Sequence, residues 1–137
     1  AYGTRVIVEA FETHGVPVRE IVATGGLPDR NKLLMQIYAD VTGRPIKVAG
    51  TKQGGAFGSA MWAAVAAGKD AGGYATIQDA THAMARLRDE SYTPNPAATA
   101  VYDRLFAEYQ QLHDYFGRGG NDVMKRLKAL KVEVRKA

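Results

Sequence analysis

The segment Ile21-Val22-Ala23-Thr24-Gly25-Gly26-Leu27-Pro28-Asp29-Arg30-Asn31 runs straight into Leu33-Leu34-Met35-Gln36-Ile37-Tyr38-Ala39-Asp40. A β-branched run stops at two glycines, a short polar turn follows, and apolar residues then recur at helical spacing. The pattern predicts strand, glycine turn, helix. A turn of this kind lets the backbone pass close to a ligand, because no Cβ intervenes. The helix behind it presents unpaired N–H groups and the positive end of its dipole, which suits a nucleotide. A plain chain-reversing turn is the competing reading of the two glycines alone.

The rest of the chain is organised around this unit. Val6, Ile7, Ala10 and Phe11 predict a first helix with an apolar face, ended by Gly15 and Pro17. Nothing at Ala1 resembles a helix start, so the reading expects a helix that continues upstream. Val18–Ala23 predicts a buried strand, and Leu33, Leu34, Ile37, Tyr38 and Val41 predict the inward face of the next helix. Gly43 should stop that helix, and Pro45–Val48 predicts a second strand, giving a parallel βαβ unit. Gly54-Gly55-Ala56 opens a small, apolar helix with Phe57, Ala60, Met61, Ala64 and Val65, expected to be buried on the sheet. Thr76 and Asp79 have capping-box spacing for a helix with Ile77, Ala80, Met84 and Leu87. Pro94-Asn95-Pro96 breaks the chain before a long amphipathic helix with Ala98, Val101, Tyr102, Leu105, Phe106, Tyr109, Leu112, His113 and Phe116 on one stripe. Gly119-Gly120-Asn121 precedes a last helix with Val123, Met124, Leu127 and Leu130 expected inward.

Two predicted strands among six helices make a parallel sheet too small to cover itself, so the chain is expected to be a piece of a larger α/β lobe. Its open strand edges and its stripe from Val101 to Phe116 predict self-association when the chain is alone, including a homo-oligomer. Composition narrows the class. At 46% hydrophobic residues the 137-residue chain has the makings of a globular core. Its most apolar segment, Ala56–Ala67, is too short to span a bilayer, and the N-terminal residues lack a signal-peptide pattern. The absence of cysteine excludes disulfides and thiolate metal sites, as expected of a cytoplasmic protein. The net charge of +4 collects at Lys125, Arg126, Lys128, Lys131, Arg135 and Lys136. A solvated helix face accounts for it, and no base-reading motif accompanies it to suggest a nucleic-acid partner.

Gly25-Gly26, Asn31, Gln36, Ala39-Asp40, Gly43 and Pro45 stand in an order and spacing that resembles the adenosine motif of FGGY carbohydrate kinases, members of the actin-like ATPase superfamily. The words GGLPDRNKLLMQIYADVTGRPIKVAGTKQ, AMWAAVAAG, GGYATIQDA and LHDYFGRGGNDVMKRLKALK, covering essentially the whole chain, resemble the carboxy-terminal end of the ribulose-phosphorylating members of that family. The resemblance implies the C-terminal part of an actin-like, ribonuclease H-like ATPase lobe: a small βαβ core carrying the adenosine motif over 1–70 and a helical extension over 71–137. It implies ATP with Mg²⁺ as cofactors, a pentulose as substrate, and a role in pentose (L-arabinose) catabolism. The rest of the kinase chain is the implied partner. Another FGGY kinase, such as one acting on xylulose, and a non-catalytic nucleotide-binding or interaction module are the alternatives.

By the same resemblance Gly25 and Gly26 approach the α-phosphate and ribose. Asn31, five residues before Gln36 as in the related glycerol kinase pattern, hydrogen-bonds the purine. Asn31 is equally suited to cap the following helix. The turn is one residue longer than in glycerol kinase, so no contact carries over to Leu27, Pro28 or Arg30. Gln36 and Asp40, one helical turn apart, read as structural hydrogen-bonding groups, since a lone Asp without a partner is a poor base. Gln53, Gly54 and Gly55 are candidates for the cleft wall or for close helix packing. His14, His82 and His113 have no ligand spacing, Trp62 and the tyrosines at helical spacing read as core or lobe-interface residues, and His113-Asp114-Tyr115-Phe116 carries no derivable chemistry. Phosphoryl transfer needs a β/γ-phosphate cradle, a Mg²⁺ carboxylate and a base. None can be assigned here, so the chain by itself is expected to be inactive.

Overall fold

The computed structural model describes residues 1–135, so Lys136 of the basic cluster lies outside the described residues. Helix α1 (Tyr2–Thr13) leads to strand β1 (Ile21–Ala23), the one-turn helix α2 (Leu27–Arg30), helix α3 (Lys32–Thr42) and strand β2 (Ile46–Ala49). Helices α4 (Gly54–Ala67) and α5 (Ile77–Met84), strand β3 (Leu87–Tyr92), and helices α6 (Pro96–Gly117) and α7 (Val123–Val134) follow. The sheet has the order β1-β2-β3. β1 and β2 are parallel, with Ile21 opposite Ile46 and Ala23 opposite Val48, as the strand–turn–helix–strand pattern requires.

The third strand departs from the sequence expectation. The helical spacing places Leu87 at the end of a helix, but α5 stops at Met84, and Leu87–Tyr92 runs antiparallel along β2, with Ile46 opposite Tyr92 and a bulge between Lys47 and Ala49. The segment after residue 70 therefore contributes a strand to the sheet as well as helices. β1 is also shorter than the expected 18–23 stretch and only half-buried, because it lies at the sheet edge with its outer side open.

The core lies between the sheet and α3. Met35 and Ala39 pack on Ile46, Val48 and Tyr92, with Ile21, Ala23 and Tyr38 partly buried around them. The inward face of α3 thus centres on Met35 and Ala39, and Leu33 is 72% exposed. Amphipathic spacing located the helix but not the side its neighbours cover, since α1 and α6 also lie against α3. Tyr2 of α1 packs on Phe106 and Tyr109 of α6, with ring centroids 5.8 and 5.3 Å apart. Beneath them, the Arg5 guanidinium stacks 4.2 Å from the Phe106 ring centroid and donates to Asp103 Oδ1 at 2.6 Å and the Val41 carbonyl at 3.2 Å. One cation joins α1, α3 and α6.

Several apolar faces expected inside are outside. Val8, not Val6, Ile7 or Phe11, is the buried residue of α1. α4 has no buried residue, and Met124, Leu127 and Leu130 of α7 are exposed, whereas the α6 stripe, expected to be open in this chain alone, is buried only at Phe106. Trp62, expected in the core or at a lobe interface, is exposed and so lies outside the core of this chain. The local punctuation matches the sequence. Gly43 ends α3 in the left-handed region at φ 64°, Thr76 Oγ1 accepts from Asp79 N at 3.1 Å, and Asn95 Oδ1 accepts from Ala97 N at 3.0 Å.

Gln36 and Asp40 are structural groups, as expected. Asp40 is buried, and its Oδ1 accepts from Gln36 Nε2 and from Asn95 N, both at 2.8 Å, while Gln36 Nε2 also donates to the Thr93 carbonyl. They fasten α3 to the chain that turns from β3 into α6. Asp40→Ala would remove the buried acceptor shared by the Gln36 amide and the Asn95 backbone N–H, and the expected cost is about 1 kcal/mol of stability, seen as a lowered thermal midpoint.

Candidate functional site

The site begins where β1 ends. Thr24 leaves the strand, and Gly25 takes φ 88°, a backbone conformation that L side chains rarely adopt, with nothing within 4 Å of where a Cβ would stand. Gly26 returns to φ −85° and stands at the N-cap of the single turn of α2, with Pro28 as its second residue. Pro28 is also almost completely buried and anchors that turn. Asn31 joins α2 to α3. Its Oδ1 accepts from Leu34 N at 2.9 Å, the capping role read from the sequence, which leaves the Nδ2 of this exposed residue as a donor.

Gly25 and Gly26 therefore form the turn at the carboxyl end of a parallel strand, the position where open α/β sheets bind ligands, and Asn31 follows the single turn of α2. Beside it, a cleft of about 410 Å³ is bounded by Val22, Thr24, Ala49, Phe57, Met61 and Arg86, among others. The three predicted residues do not line this cleft. Its walls are largely apolar, from the sheet face turned away from α3, so it suits packing of apolar groups better than a triphosphate. Gly54 does line it, whereas Gln53 and Gly55 do not. A Cβ on Gly54 would overlap Thr24 Oγ1, which makes this glycine a requirement for the close approach of α4 to β1.

Charged groups surround the turn. Asp29 of α2 pairs with Arg88 Nη1 of β3 at 2.5 Å and with Lys52 Nζ at 3.4 Å. Hydrogen bonding from Arg88 holds the Asp29 carboxyl below its usual range and raises the Arg88 guanidinium. Glu90 of β3 accepts from Lys32 Nζ at 3.0 Å and from Tyr92 OH at 2.9 Å, and these bonds lower its pKa as well. With its carboxylate committed to two cations, Asp29 is a structural anion. Among the described residues no group of three His, Cys, Asp or Glu side chains gathers as a metal set. None of the described helices is long and apolar enough to cross a membrane.

Sequence reading did not find Arg88, Glu90 and Lys52. Leu87–Tyr92 places three consecutive charged residues and a serine between Leu87 and Tyr92, with no β-branched side chain, a weak strand signal.

The geometry defines an α/β domain with a ligand-accessible glycine turn at the end of a parallel strand. Residues 1–67 match the C-terminal domain of the FGGY family of carbohydrate kinases, and the chain belongs to that family. It is 60% identical over 131 residues to a ribulokinase of Halalkalibacterium halodurans, covering 96% of this chain and 23% of that protein. It is 58% identical over its whole length to a ribulokinase of Geobacillus thermodenitrificans, covering 24% of it. The crystal structure of xylulose kinase from Rhodospirillum rubrum superposes with a TM-score of 0.64 at 32% identity, over 82% of this chain and 22% of that one. The chain thus spans about a quarter of the length of the curated relatives it matches.

Proposed function

We propose that this chain forms the adenosine-binding part of an ATP-dependent kinase that phosphorylates the terminal hydroxyl of ribulose in pentose catabolism. The observation that carries the reading is the Gly25-Gly26 turn with Asn31, set at the end of β1 in a sequence 60% identical to a ribulokinase. Open space over Gly25 admits the ribose and α-phosphate, and the Nδ2 of exposed Asn31 supplies a donor for a purine ring nitrogen. In this reading the γ-phosphoryl group leaves ADP and bonds to the sugar oxygen, whose proton passes to a base. The base, the sugar contacts and the Mg²⁺ ligands belong to the remaining three quarters of the protein. Because the cosubstrate is ATP, the proposed location is the cytoplasm.

The test is a coupled assay of the full-length protein carrying this chain, with ATP, Mg²⁺ and either ribulose or xylulose. Higher kcat/KM for ribulose is expected. Preference for xylulose would move the protein to another branch of the family, and no ATP turnover with any pentulose would leave a non-catalytic module.

A further inference from the structure

Strand β3 lies beyond residues 1–67, the stretch matched by the family domain, and it faces the candidate turn. Its alternate residues Arg88, Glu90 and Tyr92 are the more buried set, and Tyr92 enters the core against α3. Arg88 reaches Asp29 at 2.5 Å, and Glu90 reaches Lys32 at 3.0 Å. Asp29 and Lys32 stand on either side of Arg30-Asn31. The same strand therefore holds both flanks of the residue expected to meet the base.

Exposed ion pairs add little to folding, so their consequence here is geometric. α2 is a single turn, too short to fix its own direction, and it hangs from β1 through Gly25, over which nothing packs. Pro28 anchors one side of it. The two pairs have opposite sense: β3 offers a cation to Asp29 and an anion to Lys32. Sliding β3 by one repeat would set Glu90 against Asp29 or Arg88 against Lys32, so like charges oppose the slipped arrangement.

We infer that Arg88 and Glu90 are positioning residues, which hold α2 and the start of α3 so that the Gly25-Gly26 backbone and the Asn31 amide meet the nucleotide in one fixed geometry. The inference rests on the adenosine site proposed above. It makes β3 a second support for the turn, independent of the βαβ connection that carries it.

The test compares Arg88→Met, Arg88→Lys and Glu90→Gln in the full-length protein. Hydrogen exchange over residues 24–32 is read without nucleotide, and KM is read for ATP and for ribulose. Arg88→Met and Glu90→Gln should each speed exchange in that segment and raise the ATP KM roughly fivefold with the ribulose KM held. Arg88→Lys, which keeps a cation for Asp29, should restore most of both. Should Arg88→Met fail to fold, Glu90→Gln reads the same clamp from its other pair. Unchanged exchange and unchanged ATP KM would overturn the inference, as would equal rises in both KM values with a lower melting temperature, which mark a merely structural role. Gly26→Val in the same protein separates the two failures. An ATP KM raised by Gly26→Val but not by the β3 variants defeats the clamp alone, whereas no response to either defeats the adenosine site.

Discussion

Valine at Gly26 is expected to raise the ATP KM by more than about tenfold while the ribulose KM stays within about twofold. The choice of glycine matters. Gly25 sits at φ 88°, so any side chain there strains the backbone and confounds a binding defect with a folding one. Gly26 is different: at φ −85° and ψ −11° it adopts a conformation open to every L residue. A Cβ there would meet only the Arg30 guanidinium, at 3.7 Å, which is ordinary contact with the end of a flexible side chain. The fold should therefore accept valine, and the new methyl groups fall in the space assigned to the nucleotide. An assay coupled to ADP release, run against each substrate in turn, gives both constants. Equal damage to both, with the melting temperature unchanged, would remove the nucleotide from this turn.

What the sequence disclosed about this region was what neighbouring residues determine. The left-handed Gly43, the Asn31 and Thr76 caps and the parallel β1–β2 pair are set within a few residues or by one βαβ connection, and they stand where the pattern put them. Failures came where a partner lies far along the chain. Nothing in LRDESY announces a strand, because its stability comes from pairing with β2 and from Tyr92 entering a core built by α3. The link between Asp29 and Arg88 spans 59 residues and depends on that strand. Helical periodicity likewise marked apolar stripes on α1, α6 and α7 without saying whether anything covers them. For the site, the open backbone at Gly25 was legible as chemistry, but the purine role of Asn31 came from family resemblance, and its observed bond is a cap that many helices use.

The uncovered stripes lead to a large effect on the chain in isolation: it is expected to self-associate in solution. A compact monomer of 14.8 kDa exposes about 7,000 Å², by the scaling of surface with mass. This chain exposes 9658 Å². The excess, about 2,700 Å², is larger than the roughly 1,600 Å² that a standard protein–protein interface buries from both partners. Shape accounts for part of it, since α6 is 22 residues long and α7 lies against it with no buried residue of its own. Much of the rest is apolar: Ile7, Phe11, Val22, Leu112, Leu127 and Leu130 are each about half exposed or more. The outer edge of β1 also offers unpaired backbone groups beside Val22. Surface of this kind marks a place where something docks, either the rest of the proposed kinase or, without it, other copies of the chain. Sedimentation velocity across a concentration series should show mass rising well above 14.8 kDa. A monomer at every concentration, with β1 and the α6 stripe protected from hydrogen exchange, would show that the chain covers these surfaces itself, and a self-sufficient binding module would then replace the kinase-lobe reading.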